Sequence, residues 1–465
     1  MIFSSVLFLF YFLPIVLFVY YISPKKIKNF ILLVASLVFY AWGEPTYIVL
    51  MIFTIVLNYH MALVISESKS ESKRKRVLVE AIVIDLLILG YFKYYGFFID
   101  SINSIFSTNI EVKQLALPVG ISFYTFQTLS YVIDVYWKKV NVQKNIITFG
   151  TYIAMFPQLI AGPIVKYSDV EKQMVKRPIN MDNFGLGAER FILGLGKKVL
   201  LANNIGMLWD TISATDLSQL SVLSAWLGMI AYTFQIYFDF SGYSDMAIGL
   251  GRMLGFKFME NFNYPYIASS VTDFWRRWHI SLSTWFREYV YIPLGGNRVG
   301  VAKHIRNLLI VWALTGFWHG ASYNFLMWGL YYGVLLIIEK YALGKVLNKL
   351  PHVVRWLYTI LIVMIGWIFF AAPDLSWALD YIKVLFGSNG VFCDGTSLYY
   401  LESNFLLLLI LSISATPALK YIFDWLKGQK SGGILISIVI QIAILVLATA
   451  FLVNASYNPF LYFRF

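Results

Sequence analysis

The chain has 465 residues, of which 59% are hydrophobic, 18% aromatic and only 13% charged. Soluble domains carry about 25% charged residues, so this composition, with a mean hydropathy of +0.68, excludes a soluble enzyme, a disordered chain and a collagen-like one. In such a chain the net charge of +12 points first to cytoplasmic loops and anionic headgroups, not to nucleic acid.

A spanning helix takes about 20 mostly apolar residues. Stretches of that kind cover 4–22, 30–65, 77–98, 115–137, 146–165, 187–207, 221–256, 307–338, 354–371, 403–422 and 433–453. Several are long enough for two passes, which predicts an all-α polytopic membrane protein with roughly ten to twelve membrane segments. No soluble domain fits between them, so residues 1–465 read as a single integral-membrane domain. The first run has no basic residue before it and no A-x-A site after it, and is expected to be a retained helix, not a cleaved signal.

Loop charges set the orientation. Lys25, Lys26 and Lys28 follow the first run; Lys69, Lys73, Arg74, Lys75 and Arg76 outnumber Glu67 and Glu71; Lys138, Lys139 and Lys144 follow a later span. A turn at Gly43-Glu44-Pro45 splits 30–65 into a hairpin, and 99–114 is sparsely charged. Alternating these places the N-terminus outside the cytoplasm. The segment 373–402, with Asp374, Asp380, Asp394 and Glu402 against Lys383, is expected outside as well. Residues 166–186 form a polar connection suited to an interfacial loop or short surface helix.

The densest chemistry lies in SSVTDFWRRWHISLSTWFREYVYIPLGGNR at 269–298. At about 100° per residue, one helix would carry Trp275, Trp278, His279, Leu282, Trp285 and Phe286 on one face, with Arg276, Arg277, Arg287 and Glu288 opposite. Ser270, Thr272 and Asp273 supply its N-terminal chemistry. Pro293 and Gly295-Gly296 end it. The plain reading is an amphipathic surface helix with an aromatic belt, lying in the interface or re-entering the protein. Against that stands His279, an ionisable group among tryptophans, which in a membrane protein is a functional candidate. Residues 252–306 hold eight cations against Glu260, Asp273 and Glu288. Arginine forks suit phosphate, so Arg276, Arg277, Arg287 and Arg298 are candidates for a polyphosphate-bearing substrate such as coenzyme A, although lipid headgroups fit them equally.

Residues 307–338, NLLIVWALTGFWHGASYNFLMWGLYYGVLLII, exceed one span, and His319 is their only ionisable group apart from tyrosines. Gly316, Gly320, Ser322 and Asn324 loosen the helix there. A break would free backbone groups that only a buried polar site or cavity satisfies. His319 is then either a structural histidine bonded to a carbonyl or a general base. Trp318 and Asn324 flank it and join Trp275 and Trp278 as candidate substrate contacts. Asp239 and Asp245 interrupt the apolar run QIYFDFSGYSDMAIGLG. They orient a histidine, bind substrate or pair with cations, the last being the commonest outcome. Gly242-Tyr243-Ser244-Asp245-Met246 lacks the second glycine of a hydrolase elbow. His60, His304 and His352 lie near segment ends, where a surface role is expected. No histidine pair has metal-ligand spacing, and the lone Cys393 makes neither an internal disulfide nor a thiolate cluster.

Together with PVGISFYTFQTLSYVIDVYW (118–137), FPQLIAGPIVKYSDV (156–170), FYAWGEP and the tail NPFLYFRF (458–465), these motifs resemble the membrane-bound O-acyltransferase family. The likeness is closest to its bacterial branch containing the alginate O-acetyltransferase membrane subunit, to which peptidoglycan and cellulose O-acetylation subunits and the teichoic acid D-alanyl transferase are related. The motif-bearing core is 118–333. One departure is Ala371 in WIFFAAP, where that branch commonly carries arginine. The resemblance implies membrane helices with re-entrant elements around a central tunnel, His319 as the catalytic histidine and His279 as the upstream polar position; His279, or a nearby amide or arginine donor, would then stabilise the oxyanion or position the acyl group. It also implies acetyl-CoA or a related thioester as donor, with no bound cofactor and no metal. A polysaccharide acceptor at the surface of a bacterial inner membrane and an extracytoplasmic partner protein complete the expectation. The residues themselves also fit a flippase for a lipid-linked sugar, or a non-catalytic scaffold of a polysaccharide synthase.

The orientation is checked by cysteine labelling. With Cys393 replaced, Ser104→Cys is expected to react with an impermeant thiol reagent on intact cells, and Ser70→Cys only after the membrane is breached.

Overall fold

The computed structural model describes residues 1–454 and 458, apart from 114, 161 and 430, and all regular structure among them is helical. The tail motif beyond Asn458 lies outside the described residues. Among the described residues, seven helices are long and apolar enough to cross a membrane, including Ile48–Glu67, His352–Ala371 and Gly432–Asn454. Many of their large apolar side chains face outward, such as Phe53, Leu361 and Val446, as expected where lipid replaces water. The protein is an all-α polytopic membrane protein.

The chain divides into two compact units, Met1–Phe191 with Tyr243–Met259, and Ile192–Gly242 with Glu260–Phe465. The first contains α1 (Phe8–Ile22), α2 (Lys28–Gly43), α3 (Ile48–Glu67), α4 (Glu71–Phe106), α5 (Ile121–Tyr136), α6 (Ile146–Ala154) and α7 (Tyr167–Val175). The turn at Gly43-Glu44-Pro45 falls between α2 and α3. Within the expected polar connection at 166–186, α7 is a nine-residue helix. Buried Asp85 of α4 accepts hydrogen bonds from Asn58 of α3 (2.9 Å) and Thr128 of α5 (2.8 Å). A carboxylate in an apolar interior requires such partners, and these tie three helices at one level.

Helices α8 (Met181–Ser213) and α9 (Val222–Met253) have residues in both units. The second unit continues with α10 (Val271–Arg277), α11 (Ile280–Phe286), α12 (Val301–His319), α13 (Tyr323–Ile338), α14 (His352–Ala371), α15 (Leu375–Leu385), α16 (Gly395–Ser414), α17 (Ala418–Gly428) and α18 (Ser431–Asn454).

One element departs from expectation. The single amphipathic helix anticipated around His279 is broken into α10 and α11. The backbone of 261–263 runs alongside the break: Asn263 N–H donates to the Arg277 carbonyl and Ile280 N–H to the Asn261 carbonyl, both at 2.9 Å. These bonds replace helical ones and turn His279 into the left-handed region, at φ 44°.

The break expected near His319 does occur. Helix α12 ends at His319, and α13 begins at Tyr323. The two pack with their backbones nearly touching. A Cβ at Gly316 would lie 2.3 Å from the Phe325 carbonyl oxygen, and one at Gly329 would lie 2.2 Å from that of Trp312. Small residues permit this approach where helices associate in lipid.

Gly329→Ala is therefore expected to destabilise the detergent-solubilised protein by about 1–3 kcal/mol, the usual cost of overpacking, read as a lowered thermal midpoint. Gly428→Ala, with nothing within 4 Å of the added methyl, is the matched control and leaves the midpoint in place.

Candidate active site

Helix α12 builds one wall of a cavity of ≈ 290 Å³ within the second unit, using His304, Leu308, Val311, Trp312, Thr315 and His319. Their spacing is that of a single helix face. His304 and His319 are fifteen residues apart in one helix, so at 1.5 Å per residue the wall is about 22 Å long. Opposite it stand Thr272, Trp275 and Arg276 of α10, His279, and Leu282, Ser283 and Phe286 of α11, followed by Arg287 and Tyr291. Leu336 and Lys340 complete the lining.

His319 is 3% exposed. Its ring lies edge-on to Trp328 (4.9 Å), Trp318 (5.0 Å) and Phe370 (5.2 Å). His279 is 1% exposed and packs edge-on to Phe240 at 4.7 Å. Its Nδ1 lies 3.2 Å from Asn261 Oδ1. Burial pushes the His279 imidazole down to about 3, because removing an ion from water disfavours the charged form. Trp275, a further wall residue, packs against Trp312 (4.7 Å) and Tyr332 (4.8 Å). Its indole N–H has no hydrogen-bond partner among the described residues.

The other end of the wall carries His304. Its Nδ1 is 2.7 Å from the Tyr341 hydroxyl, and its Nε2 is 2.7 Å from Tyr291 Oη and 3.3 Å from Lys340 Nζ. Burial first, and then the Lys340 ammonium, hold its basicity below the ordinary value. A histidine expected at the surface is thus buried, at 2% exposure, and lines the same cavity as His319. The fifteen-residue separation on an otherwise apolar face was the sequence signal for it. Glu339 next to Lys340 accepts from Val271 N–H (2.7 Å) and from the N–H and hydroxyl of Thr272 (2.9 and 2.7 Å). It thereby holds the start of α10, with Ser270 capping that helix through Asp273 N–H.

Of the residues singled out in the sequence, His279, His319, Trp275, Arg276 and Arg287 line this cavity, the two arginines being exposed. The others lie elsewhere. Trp318 is buried between the histidines, with its ring 6.1 Å from His279. Trp278 packs against Trp367 at 4.8 Å. Arg277 pairs with Asp273 at 3.0 Å, and Arg298 is exposed outside the wall. Asp239 forms a buried ion pair with Lys198 at 2.6 Å. Asn324 donates to the carbonyls of Phe369 and Ala372. Asp245 belongs to the first unit, where it pairs with Arg190 at 2.7 Å.

The sequence profile of the membrane-bound O-acyltransferase family matches residues 140–373. The chain is 46% identical to the probable alginate O-acetylase AlgI of Pseudomonas aeruginosa over 394 residues, covering 83% of this chain and 75% of that one. It is 37% identical to the peptidoglycan O-acetyltransferase of Helicobacter pylori over 84% of this chain and 81% of the relative. It is also 30% identical to the teichoic acid D-alanyltransferase of Bacillus subtilis, over 47% and 58% respectively.

A histidine kept neutral by burial makes stability pH-dependent. The folded value of about 3 lies below the unfolded value of about 6.5, so the unfolded state binds the extra proton and stability is lost as pH falls through 6.5. From pH 7 to pH 5 this costs about 2 kcal/mol. The thermal midpoint of the wild type is expected to drop over that interval more than that of His279→Gln.

Proposed function

The chain belongs to the membrane-bound O-acyltransferase family and is an O-acyltransferase, and on that footing we propose that it carries acetyl groups from a cytoplasmic thioester to a polysaccharide outside the cell. Acetyl is favoured over D-alanyl because the relatives matched over more than four-fifths of this chain are named for O-acetylation, whereas the D-alanyl transferase aligns with under half of it. The donor is acetyl-CoA or a related thioester. Delivery runs through an extracytoplasmic partner protein, at a bacterial inner membrane crossed ten to twelve times around a tunnel, with the N-terminus outside.

The single observation that carries this reading is one cavity lined both by the cations Arg276, Arg287 and Lys340 and by three buried histidines, His279, His304 and His319. Arg276, Arg287 and Lys340 are assigned to the donor's phosphates, for which arginine forks are suited. The apolar stretch along Leu308, Val311 and Trp312 takes the uncharged arm. His319 acts as general base. It removes the proton from the acceptor hydroxyl as that oxygen bonds to the acyl carbon. The carbon–sulfur bond then breaks, and the departing thiolate recovers the proton from the imidazolium. His279, in the same wall, either donates to the developing oxyanion or positions the reacting groups.

His319→Ala in the full-length protein is expected to lower release of free CoA thiol by about 10²–10⁴-fold, the usual contribution of a positioned base. Polymer acetylation in cells falls with it. A flippase would move a lipid-linked sugar without thioester consumption, and a scaffold would tolerate loss of both histidines. Wild-type acetylation by a correctly inserted His319→Ala protein would sink the assignment.

A further inference from the structure

The hydrogen bonds around His279 fix which of its two nitrogens holds the proton. Asn261 is fully buried, and its Oδ1 lies 3.2 Å from Ser281 N–H and 2.9 Å from Ser281 Oγ. A backbone N–H only donates, so the atom facing it is the amide oxygen and not the amide nitrogen. That same oxygen lies 3.2 Å from His279 Nδ1. Two lone pairs cannot face each other at that distance in a buried site, so Nδ1 carries the hydrogen. The backbone supports the arrangement independently: Ile280 N–H donates to the Asn261 carbonyl at 2.9 Å, and the left-handed turn at His279 presents the ring to the side chain of the same residue. Left-handed backbone at a residue with a Cβ costs about 1–3 kcal/mol and persists only where its surroundings hold it.

We propose that Asn261 is a positioning residue that locks His279 in its Nδ1–H tautomer, leaving Nε2 as a hydrogen-bond acceptor. The inference rests on the acyl-transfer reading and decides between the two roles open to His279. A neutral Nδ1–H imidazole has no hydrogen to give from Nε2, so it cannot donate to the oxyanion from there. It accepts instead, from the hydroxyl of the acceptor or from a group that orients it. The oxyanion donor is then a different group of the cavity wall. Asn261 was passed over in the sequence because an amide among aromatics in NFNYPY has no charge to attract notice.

The test uses full-length protein in nanodiscs with 15N-labelled histidine. The chain has five histidines, and the His279 signals are those missing from His279→Gln. The wild type is expected to show Nδ1 protonated and Nε2 bare between about pH 5 and pH 8. Asn261→Leu loses that pattern, and thiol release falls with it. Asn261→Asp keeps an oxygen toward Ser281 and the ring, but its negative charge favours the imidazolium. Its thiol release is therefore expected to gain an acid limb, falling about tenfold per pH unit below the new value and recovering at higher pH. A purely structural asparagine would not move the pH profile in this way. A bare Nδ1 in the wild type would overturn the proposal, as would an unchanged His279 tautomer in Asn261→Leu or a wild-type pH profile in Asn261→Asp. The predicted tautomer in a protein that releases no thiol would uphold the lock and refute the acyl-transfer reading.

Discussion

Helices α12 and α13 approach until glycine faces backbone, and the geometry of the cavity depends on that contact. A Cβ at Gly316 or Gly329 would come within 2.3 Å of the opposing carbonyl oxygens, so no other residue type permits the same separation. At that separation Trp312 of α12 lies 5.7 Å from Tyr332 of α13, and Trp328 of α13 lies 4.9 Å from His319. The hairpin thus supplies one long wall and sets the last residue of α12 among rings. In lipid there is no hydrophobic force to press two helices together. Close van der Waals packing does that work, and the glycines make it available.

The cavity lining combines exposed charged groups with enclosed ones. Lys340, Arg287 and Arg276 are exposed, whereas His279 and His319 are almost completely enclosed. His304 stands beside Lys340, yet it is buried and bonded on both nitrogens to tyrosine hydroxyls. An imidazole beside an ammonium is disfavoured as a cation, so the fixed positive charge there is the lysine's. The histidines therefore differ in setting: one is tied into a polar network, one is held by an amide, and one is packed among aromatic rings. The last two are the pair to which the proposed function assigns the chemistry.

Much of this was legible in the sequence. Composition and apolar length gave the helical membrane character, Gly43-Glu44-Pro45 gave a turn, and the glycines around His319 gave a helix break. The two histidines in long aromatic motifs gave the cavity's inner wall. What stayed hidden has a common cause. The break at His279 contains no glycine or proline, because backbone bonds from 261–263 impose it. A helical wheel drawn through 269–298 assumes continuity, and so it placed Trp278 beside His279 on a shared face, whereas the fold packs Trp278 against Trp367. Arg277 was grouped with Arg276 by adjacency, but it pairs with Asp273 four residues earlier. Long-range pairing of backbone groups leaves no periodic trace in composition or hydropathy.

The irregular backbone also explains why polar residues in apolar runs are ambiguous markers of function. Every helix break near the cavity frees N–H or carbonyl groups that neither lipid nor an apolar core will satisfy. Four buried side chains meet that need: Asn261 at Ser281, Glu339 at Val271 and Thr272, Asn307 at the carbonyls of Leu294 and Gly296, and Asn324 at those of Phe369 and Ala372. Each is at most 4% exposed. Read one residue at a time, any of them could pass for a substrate contact. Counted against the backbone groups beside them, two, Asn307 and Asn324, have no hydrogen bond to a side chain of the cavity lining. Glu339 also accepts from the hydroxyl of Thr272 in the cavity wall, and Asn261 alone of the four reaches an ionisable side chain there, His279. The surplus bond is what separates a residue that closes a gap in the backbone from one that also acts on the site, and it becomes visible only after the backbone's own requirements have been met.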